Sequence, residues 1–429
     1  MKLLIPLFLF ANIIFSQSFT WTKLPVPTHK TINSISFIDS LYGFAAGDTG
    51  LVMKTTDGGT SWEVQTLPRN KDISDITFVS RTTGYAVALD FESAPFGTLF
   101  YKTTNGGDSW VESRYRGDEV YFVSLHFLDS LRGWTSGLEG KIAFTTNGGD
   151  EWIPALNDTS EFTNFPVLGF SFYTDTLAFA FGGHIDIAGV VWKTTNSGGY
   201  WKSHGVGPEP IRGLIVFDSL NLIGIGGDFE YGTAVVKSTD GGETWDYRSL
   251  DVFGVPYGLS FRTENEAWVP LGFAQKLLYT PDKGTLWVEY SAPDSGILYD
   301  IQFTDSLTGY TAGRNGYFAK YSKILVGMDD DAAVPIMNAY QLGANYPNPF
   351  NPATVIPVTL AEEAQIVLTV YDIRGRETGF VTKGNFAAGY HEFKFDAGKA
   401  SSGIYFYKLD VITSSGKKYS EVKKMVLNR

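Results

Sequence analysis

One short stretch recurs six times in this chain, and its spacing confines the fold to a repeat architecture. The first copy is Thr55-Thr56-Asp57-Gly58-Gly59-Thr60-Ser61-Trp62. The pattern is Ser/Thr, any, Asp/Asn, any, Gly, any, any, Trp. Its acidic or amide and aromatic positions are Asp57 and Trp62, Asn105 and Trp110, and Asn147 and Trp152. The later copies supply Asn196 and Trp201, Asp240 and Trp245, and Asp282 and Trp287. Successive tryptophans are 48, 42, 49, 44 and 42 residues apart. A period of roughly 40–50 residues is that of a propeller blade.

The stretch has the chemistry of a tight turn between two strands. An Asp or Asn side chain accepts hydrogen bonds from backbone N–H groups just ahead of it. The Gly takes a positive φ that other residues resist. The Trp opens the next strand and buries a large ring. Nothing here needs a substrate, so these twelve named residues are expected to hold the fold.

A second marker runs out of step with the first. Phe37, Phe78, Phe127, Phe172, Phe217, Phe261 and Phe303 each sit in an alternating apolar strand before a polar turn. Gly-aromatic pairs follow at Gly43-Phe44, Gly84-Tyr85, Gly133-Trp134 and Gly309-Tyr310. Seven Phe strands stand against six turns, and the last unit, Phe303 to about Ser322, has three strands' worth of sequence. Phe19-Thr20-Trp21-Thr22-Lys23-Leu24 reads like the strand that follows each turn, with Trp21 in the Trp position. The expected fold is all-β, a propeller of seven four-stranded blades closed by the N-terminal strand. Closure leaves no open sheet edge to recruit other chains.

The six turns resemble the Asp-box of bacterial-neuraminidase-type repeats. Families that share the box include sialidases, xyloglucanases, sortilin-type receptors and photosystem II assembly-factor propellers. The resemblance implies that the box lies on the face away from the binding site. One box per blade with little inserted looks most like the assembly-factor group. The sialidase pattern is incomplete, since no Arg-Ile-Pro or Arg-Leu-Pro element precedes the boxes. Arg69, Arg81, Arg132, Arg212, Arg262 and Arg314 also lack the spacing of that family's three-arginine clamp. Xyloglucanases use two rings where this chain has one.

Composition agrees with many short strands, for aromatics reach 15% and Gly numbers 47. The net charge of −12 makes nucleic acid an unsuitable partner. Residues 1–16 read as a secretory signal peptide, with Lys2 at its charged end and an apolar run from Leu3 to Phe15. That run is too short to anchor in a bilayer, and no transmembrane segment is expected in the mature protein. With no Cys, the chain has no disulfide framework, thiolate metal site or thiol nucleophile.

The repeat, assigned to residues 17–323, gives way to an acidic, Pro-containing linker over 324–338 and a separate module over 339–429. Asn345-Tyr346-Pro347-Asn348-Pro349-Phe350-Asn351-Pro352 is a rigid lead-in. Alternating strands follow around Ile366-Leu368-Val370, Tyr405-Tyr407-Leu409-Val411 and Lys418 to Leu427, the pattern of a small immunoglobulin-like β-sandwich. Its eleven Lys/Arg and eight Asp/Glu make residues 338–429 net +3, leaving −15 for everything before them. The lead-in, Val370-Tyr371-Asp372-Ile373-Arg374-Gly375-Arg376, Ala388-Gly389, Ser402-Gly403-Ile404-Tyr405-Phe406-Tyr407 and Lys423-Lys424-Met425-Val426-Leu427 resemble the type A C-terminal sorting domain of the type IX secretion system. That resemblance implies two partners, the secretion machinery and the protease that removes the domain. It places the mature protein outside the cell or on the outer-membrane surface, released or attached to lipopolysaccharide.

The loops opposite the boxes mix aromatics with carboxylates, the usual makeup of a binding surface. The candidate binding residues are Asp90, Phe91, Glu92, Arg114, Arg116, His184, Asp186, Asp228, Phe229 and Tyr231. Phe91, Phe229 and Tyr231 are suited to stacking on a glycan or peptide. His184 and Asp186 are read as solvated; no metal, cofactor or catalytic residue is expected. The expected function is noncatalytic binding of a protein or glycan. The alternatives are a glycoside hydrolase using Asp90, Asp186 or Asp228, or an assembly factor for another exported complex.

Overall fold

The structure, a computed structural model, describes residues 18–324 and 340–429, apart from 93, 117, 118, 161, 344, 361, 373–375, 399 and 414–417. The proposed signal peptide and nearly all of the proposed linker lie outside the described residues, as do Gly117, Asp118 and the Ile373-Arg374-Gly375 turn. The chain divides into two compact units, residues 1–327 and 328–429.

The first unit contains seven antiparallel sheets. Blade 1 is built from Ile32–Phe37, Gly43–Gly47, Leu51–Thr55 and Glu63–Gln65. Blades 2 to 7 open with the strands Ile73–Phe78, Phe122–Phe127, Val167–Phe172, Ile211–Val216, Ser260–Phe261 and Leu298–Phe303. Blade 7 has three consecutive strands of its own, and its fourth is Ser18–Lys23, paired antiparallel with Tyr317–Ile324. Trp21 lies opposite Tyr321 and packs edge-on against Trp268, Tyr321 and Phe303. Among the described residues blade 4 alone carries a fifth strand, Leu156–Asn157, the one strand of these sheets added in parallel, beside the outer strand Tyr200–Gly207.

The two sequence markers have distinct jobs. In every box the Ser/Thr hydroxyl donates to the Asp/Asn side chain and accepts the Gly N–H, at 2.9 Å each in the first copy. Asp57 Oδ1 accepts the Ser61 N–H at 2.8 Å. The hydroxyl and N–H of Thr244 hold the Asp240 carboxyl down to about 2. These bonds lie within one turn, and one further N–H of each box docks it on the preceding turn of its own blade, Gly58 donating to the Leu41 carbonyl at 2.8 Å.

The Phe marker works between strands and between blades. Phe37 lies directly across from Gly43, and the same pairing recurs as Phe78 with Gly84, Phe127 with Gly133 and Phe303 with Gly309. A Cβ on Gly43 would meet the Phe37 ring at 2.4 Å, so only Gly leaves room for the ring to lie flat. The aromatic after the Gly then stacks on the Phe of the next blade. Phe44 covers Phe78 at 3.4 Å, Tyr85 covers Phe127 at 3.6 Å and Trp134 meets Phe172 at 4.4 Å. Tyr310 of blade 7 covers Phe37 of blade 1 at 3.7 Å, which brings the last blade against the first.

The second unit is a sandwich of a three-stranded and a four-stranded sheet. Its core includes Phe350, Ile356, Leu368, Tyr407 and Leu427. The Pro-rich lead-in is tied down by Phe350, whose N–H donates to the Val426 carbonyl at 2.9 Å.

Replacing Trp21 with Ala is expected to lower stability by about 3–5 kcal/mol, the cost of truncating a buried Trp. Deleting residues 18–23 is expected to cost more, because it also exposes the edge of Tyr317–Ile324. Thermal melts of both variants check this; an unchanged melting temperature would show the closing strand to be dispensable.

Candidate functional site

The hairpins joining the second and third strands of each blade lie on the face opposite the boxes. In blade 2 the hairpin starts at Asp90, paired with Gly97; in blade 4 at His184, paired with Ala188; in blade 5 at Asp228, paired with Gly232.

Asp90 is fully buried. Lys71 Nζ lies 3.0 Å from its Oδ1, Arg114 Nη2 2.8 Å from its Oδ2, and Arg69 Nη1 3.9 Å away. Lys71 also meets Glu92 at 2.7 Å, and the hydrogen bonds it donates to Glu92 and Asp90 hold its pKa above the ordinary lysine value. Asp90 and Arg114 were expected to face a ligand. Instead they neutralise each other inside the blade, because an ion buried this deeply needs its partners within the protein. Phe91 does face outward, 59% exposed and stacked on Tyr121 at 4.7 Å. Arg116 is exposed.

The second group lies where blades 4 and 5 meet. Oxygens of Asp186, Glu209 and Asp228 lie within 4.8 Å of one another. Asp228 Oδ1 accepts the N–H groups of Glu230 and Tyr231 at 3.0 and 2.7 Å. Glu209 Oε2 accepts the Asp186 N–H at 3.3 Å. Burial pushes the Glu209 carboxyl above its usual range, and the charges of Asp228, Asp186 and Glu230 push the same way. His184 does not join them; its Nδ1 meets the Ile185 carbonyl at 2.9 Å and its ring faces Phe165. Arg212 lies over the Tyr257 ring at 5.8 Å, and burial lowers its pKa.

An aromatic patch adjoins this group. Phe229, 51% exposed, lies 6.4 Å from Phe273, which lies 6.1 Å from Tyr299. Tyr299 in turn lies 5.0 Å from Tyr257, and Arg314 covers Phe273 at 5.5 Å. Tyr231 and Phe253 are exposed nearby in sequence. The sequence reading found Phe229 and Tyr231 but missed Phe273, Tyr257, Tyr299 and Glu209. The three aromatics come from blades 6 and 7, outside the long hairpins. Glu209 carried a usable signal, for it precedes Asp228 by 19 residues just as Lys71 precedes Asp90.

Asp75 and Asp300 are recessed between the inner strands and link four blades. Ser34 Oγ donates to Asp75 Oδ1 and the Leu125 N–H to Asp75 Oδ2, each at 2.8 Å. The Ile35 N–H donates to Asp300 Oδ2 at 2.8 Å. Desolvation raises Asp300 to about 7, with the Asp75 charge adding to it. The raised value means the folded state holds a proton that the unfolded chain, near 3.8, releases earlier. The stabilisation is full below the unfolded value and is lost as pH rises through about 7.

Comparison with known proteins agrees with this architecture. Residues 14–112 match the family described as photosynthesis system II assembly factor YCF48, and residues 344–428 match the secretion system C-terminal sorting domain. The photosystem II stability/assembly factor HCF136 of Arabidopsis thaliana is 24% identical, over 70% of this chain and 77% of its own. A structure of YCF48 bound to D1 peptide is 21% identical with a TM-score of 0.57, covering 70% of this chain and 96% of that one. Virginiamycin B lyase of Staphylococcus aureus has the same fold at 13% identity and a TM-score of 0.58, covering 72% and 100%. The first unit is thus a propeller similar to the assembly-factor propellers. The second is a sorting domain, and it marks the chain for type IX export to the cell surface or beyond.

Replacing Asp300 with Asn removes the group that ionises. The variant's stability relative to wild type is expected to rise between about pH 5 and pH 8, by more than the about 1.4 kcal/mol of one pKa unit. Chemical denaturation of both proteins across that range checks it; a pH-independent difference would contradict the assignment. Asp90→Ala, which strands Lys71 and Arg114, is expected to cost about 3–5 kcal/mol at neutral pH, read from the same denaturation curves.

Proposed function

We propose that this protein is a noncatalytic binding propeller, delivered by the type IX route, that takes a protein or glycan partner on its loop face. The observation that carries the reading is the aromatic patch Phe229, Phe273, Tyr299 and Tyr257. Phe229 and Phe273 are exposed and Tyr257 and Tyr299 half-buried behind them; rings held in fixed positions offer apolar area at little entropic cost, and such residues dominate binding energy when a partner covers them. Within the proposal, a peptide segment is the favoured partner, because the YCF48 structure is one with a D1 peptide bound. An assembly role follows the same line, since HCF136 is described as a stability/assembly factor.

The glycoside hydrolase alternative loses one of its three carboxylates. Asp90 is buried and held by Lys71 and Arg114, so it cannot reach a glycosidic bond. Asp186 and Asp228 remain as its candidates.

Phe229→Ala combined with Phe273→Ala is expected to leave the melting temperature nearly unchanged. It is expected to weaken binding at least about 30-fold, the equivalent of 2 kcal/mol at a hot spot. Peptide and glycan arrays probed with both proteins supply the measurement. Retention of every wild-type signal by the double variant would exclude the patch. Turnover on a fluorogenic glycoside panel, abolished by Asp186→Asn or Asp228→Asn, would replace binding with hydrolysis.

A further inference from the structure

We infer that Asp186, Glu209 and Asp228 form a binding site for a hard divalent cation of the calcium class. The repeat itself supplies the comparison. Asp90-Phe91-Glu92 in blade 2 and Asp228-Phe229-Glu230 in blade 5 are the same tripeptide at the same place, at the end of the second strand. Lys71 lies two residues before the inner strand that starts at Ile73, and Glu209 lies two before the one that starts at Ile211. In blade 2 the buried aspartate is neutralised by Lys71, Arg114 and Arg69. In blade 5 every one of those cations is gone. Glu209 stands for Lys71 and Gly207 for Arg69. Ser249, opposite Ala234, stands for Arg114, which is opposite Leu99. Blade 4 then adds a third carboxylate, Asp186, to the same spot.

The result is a concentration of negative charge with no internal answer. Glu209 is 2% exposed and Asp228 6%. Among the described residues none of the three carboxylates has an ion-pair partner within 4.0 Å. Arg212 is near enough to feel their charge, but its guanidinium lies over Tyr257. Glu209 turns its carboxylate into the cluster, and its sole donor among the described residues is the Asp186 N–H. Buried charges are stable only when paired or coordinating a metal.

The geometry selects the ion. Calcium binds oxygens at about 2.3–2.6 Å, so ligands around one ion lie up to about 5 Å apart. Three carboxylate oxygens within 4.8 Å of one another satisfy this. Asp228 keeps Oδ2 for the ion while Oδ1 serves its own turn. Magnesium demands a tighter octahedron at about 2.0–2.1 Å and sheds water reluctantly, so it should bind more weakly. His184 turns away, and Cys is absent, so the donor set is oxygen only and ill suited to zinc. Extracellular calcium modules have dissociation constants of about 10⁻⁴–10⁻³ M, which suits an exported protein.

The test uses the full chain stripped with a chelator, then titrated with Ca²⁺ or Mg²⁺ to about 10 mM, about ten times the weak end of that affinity range. Melting temperature and terbium luminescence are the two readings. Wild type is expected to gain melting temperature with Ca²⁺, saturably, with Mg²⁺ the weaker ligand and with Tb³⁺ displaced by Ca²⁺. Glu209→Lys rebuilds the blade 2 ion pair. It is expected to melt in chelator at or above wild type, with no response to Ca²⁺. Glu209→Gln, which keeps the shape, is expected to weaken Ca²⁺ binding at least about 10-fold while still unfolding cooperatively, the equivalent of 1.4 kcal/mol. Wild type without a Ca²⁺ response, or either Glu209 variant with a full response, would overturn the assignment.

Discussion

The seam between the last blade and the first depends on one interlock, repeated between blades 1, 2 and 3: a phenylalanine lying flat over a glycine with an aromatic of the preceding blade stacked upon it. Phe37 over Gly43 is possible because a side chain at Gly43 would collide with the ring. The ring is then free on its other face to receive Tyr310 from blade 7, while Phe44 passes to Phe78 of blade 2. Blades 7, 1, 2 and 3 are joined in sequence by three such parallel stacks. Sheets alone would leave the angle between blades undetermined; parallel aromatic planes 3–4 Å apart allow little freedom of approach, and Phe44 on Phe78 departs from parallel by only 3°. Bonds such as Tyr85 Oη to the Ser130 carbonyl, at 2.8 Å, extend the same contact to the neighbouring turn.

Against this rigid body, the Asp-box hairpins and the opposite hairpins face different demands. A box makes its side-chain hydrogen bonds within itself and ties one backbone N–H to the preceding turn of its blade, as Gly58 does to the Leu41 carbonyl at 2.8 Å, so its sequence varies little from copy to copy. The opposite hairpins are released from that demand, and they differ in length and charge. Blade 2 fills the interior of its hairpin with a balanced set of ions, whereas blade 5 keeps the acidic tripeptide and exchanges the balancing cations for carboxylate, glycine and serine. A repeat protein carries its own control experiment in such pairs of blades. Aromatics from three blades then gather beside the unbalanced charge, which no single blade could arrange.

The sorting domain is built around a core of its own. Its Pro-rich lead-in is anchored at two buried residues, Phe350 and Asn345, with Asn345 Nδ2 donating to the Thr354 hydroxyl at 2.9 Å and the Asn345 N–H to the Tyr407 hydroxyl at 3.1 Å, while residues 346–349 stay exposed. Motifs well apart in sequence, the lead-in, Tyr407 and the last strand, meet in one small core.

The amino-acid sequence by itself determined the repeat, the local turns, the strand borrowed from the N-terminal end and the address at the other. All of these are written in short patterns whose physics is local: a carboxylate reaching four residues ahead, a glycine opposite a phenylalanine, an alternating strand. Of the ten loop residues singled out in the sequence, Phe91, Phe229 and Tyr231 do face outward, whereas Asp90 is buried and paired with Arg114. What only the tertiary structure decided was the fate of each charge. Asp90 and Asp228 look identical in sequence, each ahead of Phe-Glu, yet one is neutralised by three cations and the other is crowded by two more carboxylates. The difference arises from residues 19 and more positions away, and from a neighbouring blade, because electrostatic energy depends on distance through space and on burial, neither of which a linear pattern encodes.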